Sequence, residues 1–323
     1  MKDDIKKHVD SGKGIWQSGH GASLHSSGIR KTGPLRKAVQ AVWGILTNAH
    51  VQGFIPGGSL IYKGKLKNFC VPGMNCYSCP GALGACPIGA MQAVFDGRRR
   101  RFSFYVIGYL AAIGLIAGRF ICGWLCLFGL FQELLYKVPV PKLKIPEKPD
   151  RILRRLKYIF LLVFVFALPF FLRGKIGMGE PFFCKYVCPV GTLEAGIPLM
   201  ILDEGIRRAA GVLFHWKLMI LVVCILSSMF IYRPFCKYVC PLGAFYSLFQ
   251  KVSFVRLHID EAACIGCGRC RGACHMQVDP VRDPDSAECI RCGACVDICP
   301  VNALSFINTM TAGKKQKEKQ TLL

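Results

Sequence analysis

The sequence is short of acid: 19 Asp and Glu stand against 42 Lys and Arg in 323 residues, a formal charge of +23. It has no C-x2-C-H haem-attachment run, because Cys270 to Cys274 is one residue too long before His275. It also has no nucleotide-binding glycine loop and no nucleophile set beside a base. The chain therefore reads as an electron-transfer subunit rather than a stand-alone catalyst. The first 34 residues are polar and lack the apolar core of about 7 to 15 residues that marks a secretory signal, so the amino terminus is expected in the cytoplasm. What the chain has in excess is cysteine, at 19 residues, and apolar side chains, at 52%, with a mean hydropathy of +0.37.

Eight of the cysteines form one array. Cys264, Cys267, Cys270 and Cys274 follow the spacing C-x2-C-x2-C-x3-C, and Cys289, Cys292, Cys295 and Cys299 repeat it, closing on Pro300. This is the ligand pattern of a bacterial-type ferredoxin with two [4Fe-4S] clusters, in which the fourth cysteine of each run serves the other cluster. Cys264, Cys267, Cys270 and Cys299 are expected to hold one cluster, and Cys289, Cys292, Cys295 and Cys274 the second. Structural zinc needs only four thiolates per site, and a disulfide framework belongs to oxidising compartments; neither asks for an interleaved array of eight. His275 stands after Cys274 where Pro300 follows Cys299, which bears on the local turn and the potential rather than on ligation.

The remainder is rich in apolar runs. A hydrocarbon core of ~30 Å takes about 20 residues of helix, and Phe102 to Ile121, Ile152 to Leu172 and Phe214 to Ile231 meet that length. A weaker first span, Leu35 to Phe54, carries Asn48 and His50. The expected fold is an α-helical integral membrane protein of about four transmembrane helices with a C-terminal α+β 2[4Fe-4S] ferredoxin domain. Its divisions are a cytoplasmic polar tail (1–34), a four-span membrane domain with cysteine-rich edges (35–257), the ferredoxin domain (258–307) and a basic, disordered tail (308–323). The positive charge is read as the cytoplasmic loops of a membrane chain, not as a nucleic-acid surface. With the amino terminus inside, Arg30 to Lys37, Lys137 to Lys157 and everything after Arg233 face the cytoplasm, and the run Arg98 to Arg101 falls outside, against the rule.

A second cysteine pattern lies at the edges of these spans. Arg119 to Gly129 aligns with Arg233 to Gly243 as two copies of Arg-x2-Cys-x3-Cys-x2-Gly. Cysteines four apart share one helix face, so Cys122 and Cys126 facing Cys236 and Cys240 would supply one further [4Fe-4S] cluster at the cytoplasmic membrane edge. The bland reading is small apolar residues at packed helix ends. A third copy carries Cys184 and Cys188; only one span separates it from the Cys236 copy, which places it on the opposite face. Cys70, Cys76, Cys79 and Cys86 fall on that outer side too. These six thiols are enough for one more cluster with two left over, and disulfides are the alternative there. Cys224 reads as packing. His50 and His215 near span ends are remote candidates for axial haem ligands. Glu194, Asp203 and Glu204 read as a solvated helix face or as groups serving a quinol's protons. Pro139 to Pro149 reads as a stiff basic linker.

On the two Arg-x2-Cys-x3-Cys-x2-Gly stretches and the paired ferredoxin runs, roughly Leu35 to Leu304 resembles the membrane-bound polyferredoxins of the NapH and NosR type. The resemblance implies four spans with cytoplasmic ends that pass electrons between quinol or ferredoxin pools and a partner reductase or maturation system. Leu127 departs from the family's proline, and the Cys70 to Pro87 block and the Cys184 to Pro189 copy go beyond its basic pattern. The expected function is a carrier in the cytoplasmic membrane, its ferredoxin domain on the cytoplasmic side. Soluble ferredoxin, a flavoprotein or quinol are its candidate redox partners, lipid surrounds it and nucleic acid has no part. The alternatives are a redox-sensing or maturation protein for a partner metalloenzyme, or a quinol-oxidising subunit of a reductase complex.

Overall fold

The computed structural model describes residues 32–55, 60–93, 104–172 and 180–308. The polar tail up to residue 31, the Arg98 to Arg101 run and the basic tail from 309 lie outside the described residues.

Among the described residues four helical segments surround the short helices that follow the cysteines: Thr32–Thr47 and Val212–Phe230 both pack on Leu127–Tyr136, while Phe104–Ala117 and the helix through 160–167 both pack on Pro241–Leu248. Their polarity is inside out. In the Thr32–Thr47 helix, Arg36, Gln40 and Gly44 recur every four residues and are buried, while Leu35, Val42, Ile45 and Leu46 on the other faces are exposed. The Val212–Phe230 helix buries Leu221, Cys224 and Ser228 and exposes Met219, Val222, Val223 and Leu226. A helix of a water-soluble protein shows the reverse.

Among the described residues one helix, Val212–Phe230, is long and apolar enough to cross a membrane by itself. The other spans are shorter than their apolar runs suggest. The first ends at Thr47, because the Asn48 side chain donates to the Gly44 carbonyl at 3.0 Å, and residues 51–54 form a separate 3-10 turn. The second is Phe104–Ala117; Gly118, at φ 54, turns the chain before Arg119. In the third, helix starts at Glu147 and runs, partly as π-helix, to Phe171. Its first half is no span: Lys157 is fully buried and pairs with Glu288 of the ferredoxin domain at 2.6 Å, and Arg154 donates to the Met276 carbonyl. The basic linker before it pairs in part with the bundle, Leu143 N–H donating to the Phe230 carbonyl.

The chain between the first two helices does not stay at the edge. Residues 70–75 are buried throughout in irregular backbone, pinned by hydrogen bonds from Val71 and Ala85 to each other's strand and from Tyr246 Oη to the Pro72 carbonyl at 2.8 Å. Non-helical backbone at such depth persists only where protein surrounds it.

The ferredoxin domain is closed by an antiparallel pair, Val255–Ile259 with Leu304–Asn308, so its structured unit begins three residues before the expected His258. Its duplication extends to backbone angles. Gly266 and Arg291 occupy the same place in the two cysteine runs, at φ 68 and 50, and Gln277 and Asn302 do so at 54 and 51.

Candidate iron-sulfur sites

The inner site is built twice over by one local design. Cys122 lies in the short Phe120–Trp124 helix, and Cys126 stands before the Leu127–Tyr136 helix at φ −82, ψ 112. Cys236 lies in Pro234–Tyr238, and Cys240 precedes Pro241–Leu248 at φ −63, ψ 113. The second cysteine of each pair thus sits at a helix N-terminus, where the backbone dipole favours a thiolate. All four thiols face one another around a small pocket, which Pro72, Gly73, Met74 and Arg119 help to line. Burial, with the Cys126 thiol beside it, pushes the Cys236 thiol up to about 12. Iron displaces such a proton on binding.

The arginine of the motif is explained by exchange between the copies. Arg233 of the second copy donates to the Cys122 carbonyl at 2.6 Å, and Arg119 of the first reaches the Cys236 carbonyl at 3.4 Å. A Cβ on Gly129 would stand 2.8 Å from Arg233, and one on Gly243 3.6 Å from Arg119. Gly129 therefore leaves room for the opposite arginine, whereas at Gly243 a Cβ would meet Arg119 only at ordinary contact distance. Both guanidiniums are fully buried and each has a carboxylate, Glu133 for Arg233 at 2.7 Å and Glu288 for Arg119 at 2.9 Å. Gln132 Nε2 donates to Cys236 Sγ at 3.1 Å.

The ferredoxin domain packs directly on this site. The Ile290 carbonyl fills the place a side chain on Gly123 would take, so Cys289 and Cys122 are each one residue from the contact. Gln250 braces the seam: it accepts from Arg119 N–H at 3.0 Å and donates to the Cys289 carbonyl at 2.9 Å. Arg291 reaches back to the Ala117 and Gln250 carbonyls, both at 3.0 Å, and Trp124 donates to the Arg291 carbonyl.

Within that domain one pocket is lined by Cys274, Cys289, Cys292 and Cys295 together, the interleaved set read from spacing. Cys270 and Cys299 pack around Leu257 and Leu304, and Cys267 is exposed. Among the described residues no three His, Cys, Asp or Glu side chains are close enough to share one metal ion. Cubane ligands each take a different iron and stand wider than the ligands of a single zinc.

The six thiols expected at the outer edge do not behave alike. Cys76, Cys86, Cys184 and Cys188 all lie within electrostatic reach of one another, whereas Cys79 accepts from the Gly81 and Ala82 amides and has no thiol among its main partners, and Cys70 neighbours only Cys86 among the thiols. Nor is this group isolated from the inner one: the buried 70–75 segment lines the inner cavity with Pro72 to Met74 and leads to Cys76 two residues further on. Glu194 is not on a solvated face. Its carboxylate accepts from Cys76 N–H at 2.7 Å, and burial pushes it up to about 7. Asp203 caps its own helix by accepting from Ile206 N–H, and Glu204 holds Arg207 and Arg208 in the open. His50 is held by the Pro80 carbonyl at 2.8 Å and the exposed His215 by the Gly211 carbonyl at 3.2 Å. Sequence reading missed Gly123, Gln132, Gln250, Glu133 and Glu288. For these the available signal was polar residues inside apolar helices and beside cysteines.

A 4Fe-4S binding domain family matches residues 84–105, 106–146, 157–197 and 213–259, and a second 4Fe-4S binding domain matches 283–305. An uncharacterised protein of Methanocaldococcus jannaschii is 32% identical over 61% of this chain and 75% of its own. The regulatory protein NosR of Pseudomonas aeruginosa is 29% identical over 58% of this chain and 25% of its own. The methylamine utilization ferredoxin-type protein MauN of Methylorubrum extorquens is 29% identical over 50% of this chain and 48% of its own. The chain thus spans a quarter to a half of the two named relatives. No solved structure matches.

Proposed function

Because this chain belongs to the membrane-associated polyferredoxin-like 4Fe-4S family, we propose that it is a membrane-bound conductor of electrons. They pass between a soluble cytoplasmic donor and an acceptor in or beyond the membrane. The observation that carries the reading is the seam at Gly123 and Ile290, which sets Cys289 of the ferredoxin domain against Cys122 of the inner site. Resident [4Fe-4S] clusters would supply one-electron chemistry to these thiolates. The chain's own part is to hold the thiolates at helix N-termini, to bury them away from water and to keep successive sites in contact. The four outer helical segments, Thr32–Thr47, Phe104–Ala117, 159–172 and Val212–Phe230, would lie in lipid, supported by their apolar outer faces, with the ferredoxin domain in the cytoplasm.

Two expected results test this. In anaerobically purified protein, Cys126→Ser and Cys240→Ser each abolish the same EPR signal and leave the ferredoxin signals intact; loss of two different signals would rule out a shared inner site. Cys274→Ala damages the signal belonging to Cys289, Cys292 and Cys295, not the one nearest in sequence. Loss of the Cys264 signal instead would overturn the interleaved assignment.

A further inference from the structure

We infer that Cys76, Cys86, Cys184 and Cys188 hold a fourth [4Fe-4S] cluster, in series with the inner one through the buried 70–75 segment. Cys70 and Cys79 are not its ligands. The inference rests on the proposed electron-carrying role and extends it to the far end of the path.

The four thiols repeat the construction of the inner site. Every pair among them interacts, as every pair does among Cys122, Cys126, Cys236 and Cys240. Cys188 precedes a helical turn at φ −70, ψ 111, within a few degrees in ψ of Cys126 and Cys240, and Cys86 stands directly before the Pro87–Ala93 helix. As Gln132 donates to Cys236, so Gln92 donates to Cys184 Sγ at 3.3 Å. Two glycines border the thiols: a Cβ on Gly89 would lie 3.9 Å from Cys184 Sγ, and one on Gly191 3.7 Å from Cys76 Sγ, ordinary contact distances. In the same segments Asn75 Nδ2 and Oδ1, one residue before Cys76, and Thr192 Oγ1, one residue after Gly191, are buried with no hydrogen-bond partner. Unpaired polar atoms at such depth are costly, and the sulfurs of a bound cluster would give the donors among them acceptors.

The series position follows from the covalent chain. A Cβ on Gly73 would stand 3.2 Å from Cys126 Cα, and Cys76 is three residues further on, at most ~11 Å of extended chain. The Met74 and Asn75 amides, neighbours in sequence, turn to Cys126 and Cys86 respectively. One electron passing along this segment oxidises one four-thiolate site as it reduces the next, and no bond is made or broken.

The test uses the full-length protein, purified anaerobically in detergent, with iron and sulfide counting and EPR. Four clusters correspond to about sixteen irons per chain. Cys76→Ser and Cys184→Ser are each expected to remove about four irons and one common signal, with the ferredoxin and inner signals retained as proof of folding. Cys70→Ser and Cys79→Ser should keep the full count. A position in series is read from relaxation: the inner signal should relax more slowly in Cys184→Ser than in wild type, because a nearby paramagnet is gone. A wild-type count of about twelve irons, or disulfides among these four cysteines by mass spectrometry, would overturn the fourth cluster and leave the carrier reading standing. Loss of iron from Cys79→Ser but not Cys76→Ser would overturn the ligand set. Failure of the Cys126 and Cys240 variants to share a signal would strike the carrier reading itself.

Discussion

Replacing Gly123 by Leu is expected to leave the iron in place and cut the exchange of electrons between the ferredoxin domain and the inner site. No side chain fits at this position without displacing the Ile290 carbonyl, and backbone cannot yield as a flexible side-chain tip does. The seam must open, at a cost of about 1–3 kcal/mol for overpacking, and tunnelling decays exponentially with the added gap. Rapid-freeze EPR after photoreduction should show the inner signal appearing slower by one or more orders of magnitude, with equilibrium iron content unchanged. Gly123→Ala should fall between. If the Leu variant equilibrates as fast as wild type, electrons do not cross at this seam.

The second large effect concerns stability. Glu133→Gln removes the anion shared by two buried guanidiniums, Arg36 at 2.8 Å and Arg233 at 2.7 Å, and leaves one acceptor oxygen where two now serve these arginines and Tyr232 Oη. Burial alone would raise the Glu133 carboxyl, but Arg233 and Arg36 hold it down, from an ordinary 4.5 to about 2. A depressed carboxyl contributes stability that is complete above the unfolded-state value and is lost as pH falls from about 4.5 towards 2, here about 3 kcal/mol. At neutral pH the whole of it is present. Breaking a buried ion pair by deleting one partner costs about 3–5 kcal/mol, so the variant in detergent at pH 7 should aggregate at a clearly lower temperature than wild type. Equal thermal resistance would mean that water already reaches these charges.

The parts of this architecture legible in sequence are those with a period. The doubled run from Cys264 to Cys299 and the doubled motif from Arg119 and Arg233 announce themselves because ligands must recur at fixed spacing. What escaped reading depends on partners remote in the chain. Ile152 to Leu172 looks like one span, yet Lys157 belongs to Glu288, 131 residues away. Arg36 and Gln40 seem to weaken the first span until Glu133 and the Cys126 carbonyl are found waiting for them. The six outer cysteines could not be sorted by spacing alone, since only the burial of residues 70–75 brings Cys76 to Cys184 and leaves Cys79 aside. Hydropathy counts residues; it does not see which neighbour neutralises them.

The exchanged arginines also bear on how the chain comes into being. On the ribosome Arg119 emerges long before Cys236, and its carboxylate, Glu288, comes 169 residues later. Until then a guanidinium destined for complete burial has neither of its companions. The first copy of the motif therefore cannot reach its final packing while translation is under way, and it stays open until the second copy and the ferredoxin domain have been made. Iron held by the inner thiols, as proposed, would then be taken up at the end of biosynthesis. A chain truncated before Glu288 would meet the cell's quality control with its inner site unfinished.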